Sequence, residues 1–212
     1  MVMPDAALFC IVFLVLAITS LRQEEKMRIP TKALNQYPWY LRLLLTKQLR
    51  SYGRPLDPTL LWARVPRLQL VFMLFFAVLT RRKSMVSAQV RTLVSVRVSQ
   101  INWCPFCVDL NSMLWLKTGG SQRKLERLQT WRTEGDFAPE ERAALDYAEA
   151  MTNSELRVTD DLFQTLRQHF ADDAIVELTA AIGFQNMSSK FNAAFDAQPY
   201  GFCQKPTSKV DI

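Results

Sequence analysis

The chain has 212 residues, of which 49% are hydrophobic and 22% charged, and its formal net charge is +6. This composition is typical of a folded protein and excludes a disordered chain, while the length allows one domain with an appendage. The Lys and Arg residues form no basic stripe interleaved with aromatic residues, so nucleic acid is not an expected partner. The chain has one histidine, His169, which excludes a Ser-His-Asp triad or a multi-histidine metal site.

The chain begins with an uncharged apolar stretch at residues 6–21. Its length falls slightly short of the about 20 residues that span a bilayer core, although flanking residues extend it. Basic residues follow it, including Arg22 and Arg28, which predicts that the main domain lies in the cytoplasm. We therefore predict a hydrophobic N-terminal helix within residues 1–28 that anchors the chain in a membrane, and one helical domain over 29–212. The alternative is a helix buried in an oligomer contact.

Three segments in the first half of the domain predict helices. Residues 38–52 form an amphipathic pattern, which favours packing on the domain over a membrane surface. Residues 68–79 are strongly apolar but too short to span a membrane, which favours a core helix. Ser84 is a candidate N-cap for a helix reaching Trp103, because the apolar residues recur every three to four positions despite the valine content.

The second half also contains only helical signals. Pro105 suits the first turn of a helix that ends at Gly119-Gly120. Further helices are predicted from Ser121 to Trp131, from Pro139 to Met151, from a Thr159 cap to Phe170, and from Asp172 or Asp173 to about Phe195. No alternation typical of a strand is found, so the expected fold class is all-α.

Cys104 and Cys107 are separated by two residues at the start of a predicted helix. On one helical turn their thiols can cycle between dithiol and disulfide, and the helix N-terminus favours the reactive thiolate by lowering a thiol pKa from about 8.5. By this argument the thiol pKa of Cys104, which is closer to the helix start, is lowered more than that of Cys107. Zinc would need further ligands at suitable spacing, so no metal and no cofactor are expected. An inert, buried pair remains the alternative.

Residues 94–111 around the two cysteines, followed in order by residues 137–152 and 175–194, together resemble the carboxymuconolactone decarboxylase and alkylhydroperoxidase D superfamily. This resemblance implies an alkylhydroperoxidase D-like helical bundle that assembles into homo-oligomers. It also implies a peroxidase branch that reduces hydroperoxides, or a partner's disulfide, with electrons from a thiol reductant. The decarboxylase branch works without a redox-active CxxC pair, so the presence of both cysteines argues against lactone chemistry.

The resemblance assigns roles to particular residues. Cys107 would attack the peroxide and Cys104 would resolve the sulfenic acid, opposite to the argument from the helix N-terminus, so both assignments stay open. Thr92 stands where the peroxidase branch has a Glu, and Asn111 where it has a His. Neither can accept a proton near pH 7, and the loss of general acid–base help costs about a hundredfold or more in rate. Asp109 is the nearest carboxylate, but on a regular helix it points away from Cys107 and favours a packing role.

The expected function is a membrane-tethered, thiol-dependent peroxidase or disulfide reductase that acts through Cys104 and Cys107. The alternative is a non-catalytic helical scaffold or binding module that retains the fold without the proton relay. A third hypothesis, cofactor-free conversion of a ring compound, rests on fold analogy alone. Trp103 and Phe106 are predicted to be core aromatic residues, with a substrate pocket as the alternative.

Overall fold

The computed structural model describes residues 27–203, and within this range every regular element is a helix and no strand is present. Two short 3₁₀ turns lie at Leu34–Gln36 and Leu128–Thr130. The α-helices are α1 (Trp39–Tyr52), α2 (Asp57–Ala63), α3 (Pro66–Leu79), α4 (Ala88–Ile101), α5 (Pro105–Lys117), α6 (Gln122–Glu126), α7 (Pro139–Thr152), α8 (Asp160–Arg167) and α9 (Asp172–Ala194). The predicted all-α class is confirmed.

Helix α4 is the centre of the domain, because it packs against α5, α7 and α9. Leu93 and Val98 on this helix are fully buried, and Val90 and Val94 are nearly so. This burial follows the three-to-four spacing of the apolar residues, so tertiary packing outweighs the strand propensity of valine. The predicted helix is confirmed, and it places the start of α5 against the core.

The N-cap of α4 is Ser87 and not Ser84, so that prediction is wrong by three residues. The Ser87 hydroxyl accepts a hydrogen bond of 3.1 Å from the Val90 N–H. Ser84 instead donates its hydroxyl to the Glu177 carboxylate on α9. Both serines suit the N-cap position by local sequence rules. They differ in that Ser84 has a long-range partner, Glu177.

Helix α1 packs on α2 and forms a small core separate from the main one. Its buried members are Tyr37, Leu41, Leu45, Leu60 and Ala63. The Tyr37 hydroxyl donates to the Leu60 carbonyl at 3.0 Å, which ties the two elements together. The expectation that residues 38–52 pack on the domain is confirmed.

Helix α3 is not the core helix that its composition predicts. Its buried residues are Leu79 and, unexpectedly, the polar Gln69, while Phe72 packs partly buried against Phe184 of α9. Seven large apolar side chains are 40–67% exposed: Leu68, Leu70, Val71, Leu74, Phe75, Phe76 and Val78. The prediction fails because hydropathy shows that a surface must be covered without showing whether the same chain covers it.

Two predicted helix bounds also differ from the structure. The segment after Ser121 divides into α6 and a 3₁₀ turn, and the Ser121 side chain makes no capping bond. Helix α8 begins after the Thr159 cap as predicted but ends at Arg167, three residues before Phe170. Helices α7 and α9 match their predicted bounds within one residue.

Among residues 27–203, no helix is both long and apolar enough to cross a membrane. The predicted anchor at residues 6–21 lies outside the described residues, and so do residues 1–26 of the range predicted for the N-terminal helix.

Candidate active site

Cys104 and Cys107 form a disulfide at the start of α5, with 5.3 Å between their Cα atoms. Cys104 is the N-cap residue, and Pro105 occupies the first turn, where its missing N–H costs no hydrogen bond. The structure therefore brings the two cysteines together on the first turn, as their spacing predicts.

The turn that leads into this site ends α4 in a Schellman motif. The Cys104 N–H donates to the Ser99 carbonyl at 3.1 Å, and the Trp103 N–H donates to the Gln100 carbonyl at 3.2 Å. Trp103 takes the left-handed position of this motif with φ of 52°, where glycine is usual. Its side chain is 86% exposed, so the prediction that Trp103 is a core residue is wrong, whereas Phe106 is 3% exposed and does lie in the core.

Each sulfur of the pair accepts one hydrogen bond. The Cys107 backbone N–H donates to the Cys104 sulfur at 3.2 Å, which is the helix N-terminus acting on the N-cap side chain. The Asn192 amide on α9 donates from Nδ2 to the Cys107 sulfur, also at 3.2 Å. Both donors favour a negatively charged sulfur, so the geometry supports a thiolate at either cysteine.

Both cysteines are buried, with 1% of Cys104 and 3% of Cys107 exposed. The residues after α9, from Asp196 to Cys203, run across this site, and we call them the C-terminal strap. Tyr200 of the strap packs edge-on against Phe106, and Phe202 packs against Tyr52 of α1. The disulfide therefore lies under an aromatic cover and not in an open cleft.

Asp109 holds the C-terminal strap against α5. Its carboxylate accepts backbone N–H bonds from Tyr200 at 2.8 Å, from Phe202 at 3.1 Å and from Cys203 at 3.1 Å. Asp109 is 9% exposed, so these bonds are largely shielded from water. Its position agrees with the packing role that the helical geometry favours.

Asn111 and Thr92, which stand in place of the family's proton-relay residues, are placed differently. Asn111 lies one turn after Cys107 and donates to the Ser99 hydroxyl at 3.3 Å, a hydroxyl that also accepts from Gln185 of α9 at 3.0 Å. The Thr92 hydroxyl donates to the Ala88 carbonyl of its own helix at 2.7 Å. Neither side chain is hydrogen-bonded to the sulfur of Cys104 or Cys107.

The buried carboxylates Glu149 and Glu177 are engaged away from the cysteines. Glu149 accepts from Arg97 of α4 and Trp131, and it forms an ion pair with Arg132. Burial alone would raise the pKa of Glu149, but these donors outweigh it and hold the pKa below its usual value. Glu149 therefore joins α7 to α4 as a charged structural contact.

Two features of the site have no local sequence signal. Asn192 is 85 positions from Cys107 along the chain, and the strap approaches Asp109 across more than 90 positions. A helix pattern shows which face is buried but not which distant side chain meets it. The sequence indicates Asn192 through the family-like segment, residues 175–194, that contains it.

Comparison with known proteins agrees with this fold. The model of the carboxymuconolactone decarboxylase family matches residues 66–150, which include both cysteines. The uncharacterized protein YnjA of Escherichia coli K12 is 39% identical over 176 residues, covering 83% of this chain and 97% of that protein. This chain belongs to the carboxymuconolactone decarboxylase family.

Two solved structures share the fold at low sequence identity. The alkylhydroperoxidase AhpD core of Ralstonia eutropha JMP134, a peroxidase-related protein, has a TM-score of 0.76 at 20% identity, covering 84% of this chain and 95% of that one. The debrominase Bmp8 has a TM-score of 0.68 at 20% identity, covering 78% and 89%. At these identities the comparison establishes the alkylhydroperoxidase D-like fold, which carries more than one activity.

Proposed function

We propose that this protein is a thiol-dependent peroxidase or disulfide reductase whose reacting groups are Cys104 and Cys107. The observation that carries this proposal is the disulfide at the start of α5, in which each sulfur accepts a separate hydrogen bond. A structural disulfide closing so short a loop would add little stability, so redox chemistry is the better explanation for the pair.

The reaction balances with two thiols and one peroxide. One cysteine thiolate attacks the peroxide oxygen, which breaks the O–O bond and forms a sulfenic acid, and a proton converts the departing alkoxide into an alcohol. The second thiol then attacks the sulfenic sulfur, which forms the disulfide and releases water. A thiol reductant restores both thiols by exchange, becoming oxidised itself. The family resemblance favours Cys107 as the attacking residue. The position of Cys104 at the helix N-terminus favours Cys104 instead.

The C-terminal strap must move for a substrate to reach either sulfur, since both lie beneath it. Its polar attachment is concentrated at Asp109. Its other contacts include aromatic packing, Arg54 over the Tyr200 ring, the Tyr200 hydroxyl, which accepts from the Asp57 N–H at 2.8 Å, and the Ala197 N–H bond to α9. An attachment of this kind can open locally without unfolding the helices.

The first experiment is peroxide treatment of the reduced protein, followed by mass spectrometry of the cysteines. We expect a Cys104–Cys107 disulfide in the native sequence. Of the variants Cys104→Ser and Cys107→Ser, the one that keeps the attacking thiol should accumulate a sulfenic acid that dimedone traps, and the other should not. Cys203→Ser is the matched control and should form the disulfide as the native chain does.

A non-catalytic scaffold is the second candidate, favoured by the burial of both sulfurs and by their hydrogen-bond donors. Neither Asn192 nor a backbone N–H can take up a proton near pH 7. Under this alternative, peroxide would leave both thiols unmodified, and alkylation would follow an ordinary thiol pH profile. That result would contradict the enzyme proposal.

We also propose that residues 6–21 attach the protein to a membrane. A thiol reductant is its proposed partner at the domain surface. The support is the uncharged composition of this segment and the basic residues after it. Deleting residues 1–28 should move the protein from the membrane fraction to the soluble fraction. Release of the full chain by moderate salt alone would contradict an apolar anchor.

A further inference from the structure

The amide of Asn192 is committed to the cysteine pair and to no other side chain. Its Nδ2 donates to the Cys107 sulfur at 3.2 Å, and the residue is 2% exposed. No residue within 27–203 donates a hydrogen bond to its buried Oδ1. A buried polar atom without a partner costs stability, so an apolar residue of similar size would be preferred if packing were the only requirement.

The backbone holds Asn192 rigidly at the last turn of α9. Its carbonyl accepts from the Ala197 N–H at 3.0 Å, and the Asp196 N–H donates to the Ala193 carbonyl at 3.1 Å, which closes a Schellman motif. Asp196 takes the left-handed position, with φ of 57°. The amide therefore meets the sulfur from a fixed helix end, at a small further entropy cost.

Other titratable groups approach the pair from α1, α5 and the C-terminal strap. Burial raises the pKa values of Tyr52 and Tyr200, and burial followed by the charge of Asp109 raises the pKa of the Cys203 thiol. These three groups therefore stay neutral near pH 7. The Asp109 carboxylate accepts three backbone N–H bonds, and Arg54 lies over the Tyr200 ring.

We propose that Asn192 is a positioning residue that stabilises the Cys107 thiolate through its Nδ2 donor. The inference deepens the proposed function, because it identifies the side-chain donor that acts at this sulfur where a proton relay is missing. Cys104 draws its donor from the backbone of α5, so Asn192 acts on one sulfur of the two. Asn192 thereby favours a charge on Cys107, as the α5 backbone N–H favours one on Cys104.

The test is the pH profile of iodoacetamide alkylation at Cys107 in the full chain, followed by mass spectrometry on a Cys104→Ser background. In Asn192→Leu we expect the midpoint to rise by about one pH unit, which is a tenfold loss of thiolate at lower pH. Asn192→Asp should raise it further, since a carboxylate beside the sulfur opposes a second negative charge.

Asn186→Leu is the matched control on the same helix. Asn186 accepts from Asn102 and donates to Thr152, so its amide contacts no sulfur. We expect an unchanged alkylation midpoint in this variant. Asn192→Leu should melt no lower than the native chain, because it removes an unpartnered buried oxygen.

An unchanged midpoint in a folded Asn192→Leu variant would overturn the inference. A raised midpoint in Asn186→Leu as well would assign the shift to general loosening of α9 and would also overturn it. Because alkylation requires no peroxide, these outcomes are separate from failure of the proposed function, which is judged by disulfide formation on peroxide.

Discussion

Trp103 occupies a backbone position that normally belongs to glycine. A left-handed conformation costs an L-residue roughly 1–2 kcal/mol, and the exposed indole recovers little of this by burial. The residue therefore marks a point where the chain accepts strain beside its cysteine pair, in the manner of functional turns.

The free energy of unfolding of variants at Trp103 should depend on how readily each residue adopts a positive φ. Trp103→Gly should leave the free energy of unfolding equal or higher, because relief of strain is partly offset by about 0.4–1 kcal/mol of unfolded-state entropy. Trp103→Ile should lower it by about 1 kcal/mol, since a β-branched side chain tolerates positive φ poorly. Urea denaturation of the native protein and of the two variants measures these free energies. A Gly variant less stable than the Ile variant would contradict the argument.

Glu149 is a residue whose charge stabilises the fold. Glu149→Gln leaves the largely buried Arg97 without its carboxylate partner, whereas Arg132 is half-exposed and keeps Asp146, so the variant should lose about 2 kcal/mol of stability at pH 7. Because the folded-state pKa is lowered, this stabilisation is present above the unfolded pKa and is lost as the pH falls through the folded pKa. Denaturation at pH 7 and pH 3 should show the variant and native curves converging in acid, and a constant difference would contradict this.

At the level of single residues, the sequence predicts the cysteines well and their surroundings poorly. Cys104 and Cys107 carry a local signal, because their spacing and Pro105 fix their place on the first turn of α5. Asn192 and the three strap N–H groups at Asp109 carry none, since they meet the pair through folding of distant segments.

The helices themselves follow from local rules. Apolar spacing and proline positions predict α4, α5, α7 and α9 because these helices each bury one continuous face in the domain. The same rules mislead at α3, where the apolar residues face outward and Gln69 faces inward. A helix pattern reports that a partner exists, and only the folded chain shows where the partner is.

The C-terminal strap is an element whose attachment can be tested separately from the helices. Asp109→Asn retains size but replaces one acceptor oxygen by a donor, which opposes the strap N–H groups. We expect Cys107 alkylation at fixed pH to accelerate several-fold, with unchanged helical circular dichroism. Glu177→Gln is the control, since its carboxylate pairs with Arg81 away from the strap, and faster alkylation in that variant would argue against a specific latch.

At the scale of the whole molecule, α3 leaves the domain incomplete. Seven of its large apolar side chains are 40–67% exposed, and an apolar patch of this kind is typical of an interaction surface. These seven side chains carry no charge, and the charged residue of α3, Arg67, is exposed in the first turn of the helix. The inward Gln69 has a buried Oε1 to which no residue within 27–203 donates a hydrogen bond.

We expect a second copy of the chain to cover this face. Leu74, which is 67% exposed, is a suitable position for a charge, and Leu74→Glu should shift the molar mass measured by light scattering toward the monomer. Leu43→Glu is the matched control, because Leu43 is 65% exposed on α1, and it should leave the oligomer intact. A native protein that is monomeric at micromolar concentration would contradict self-association.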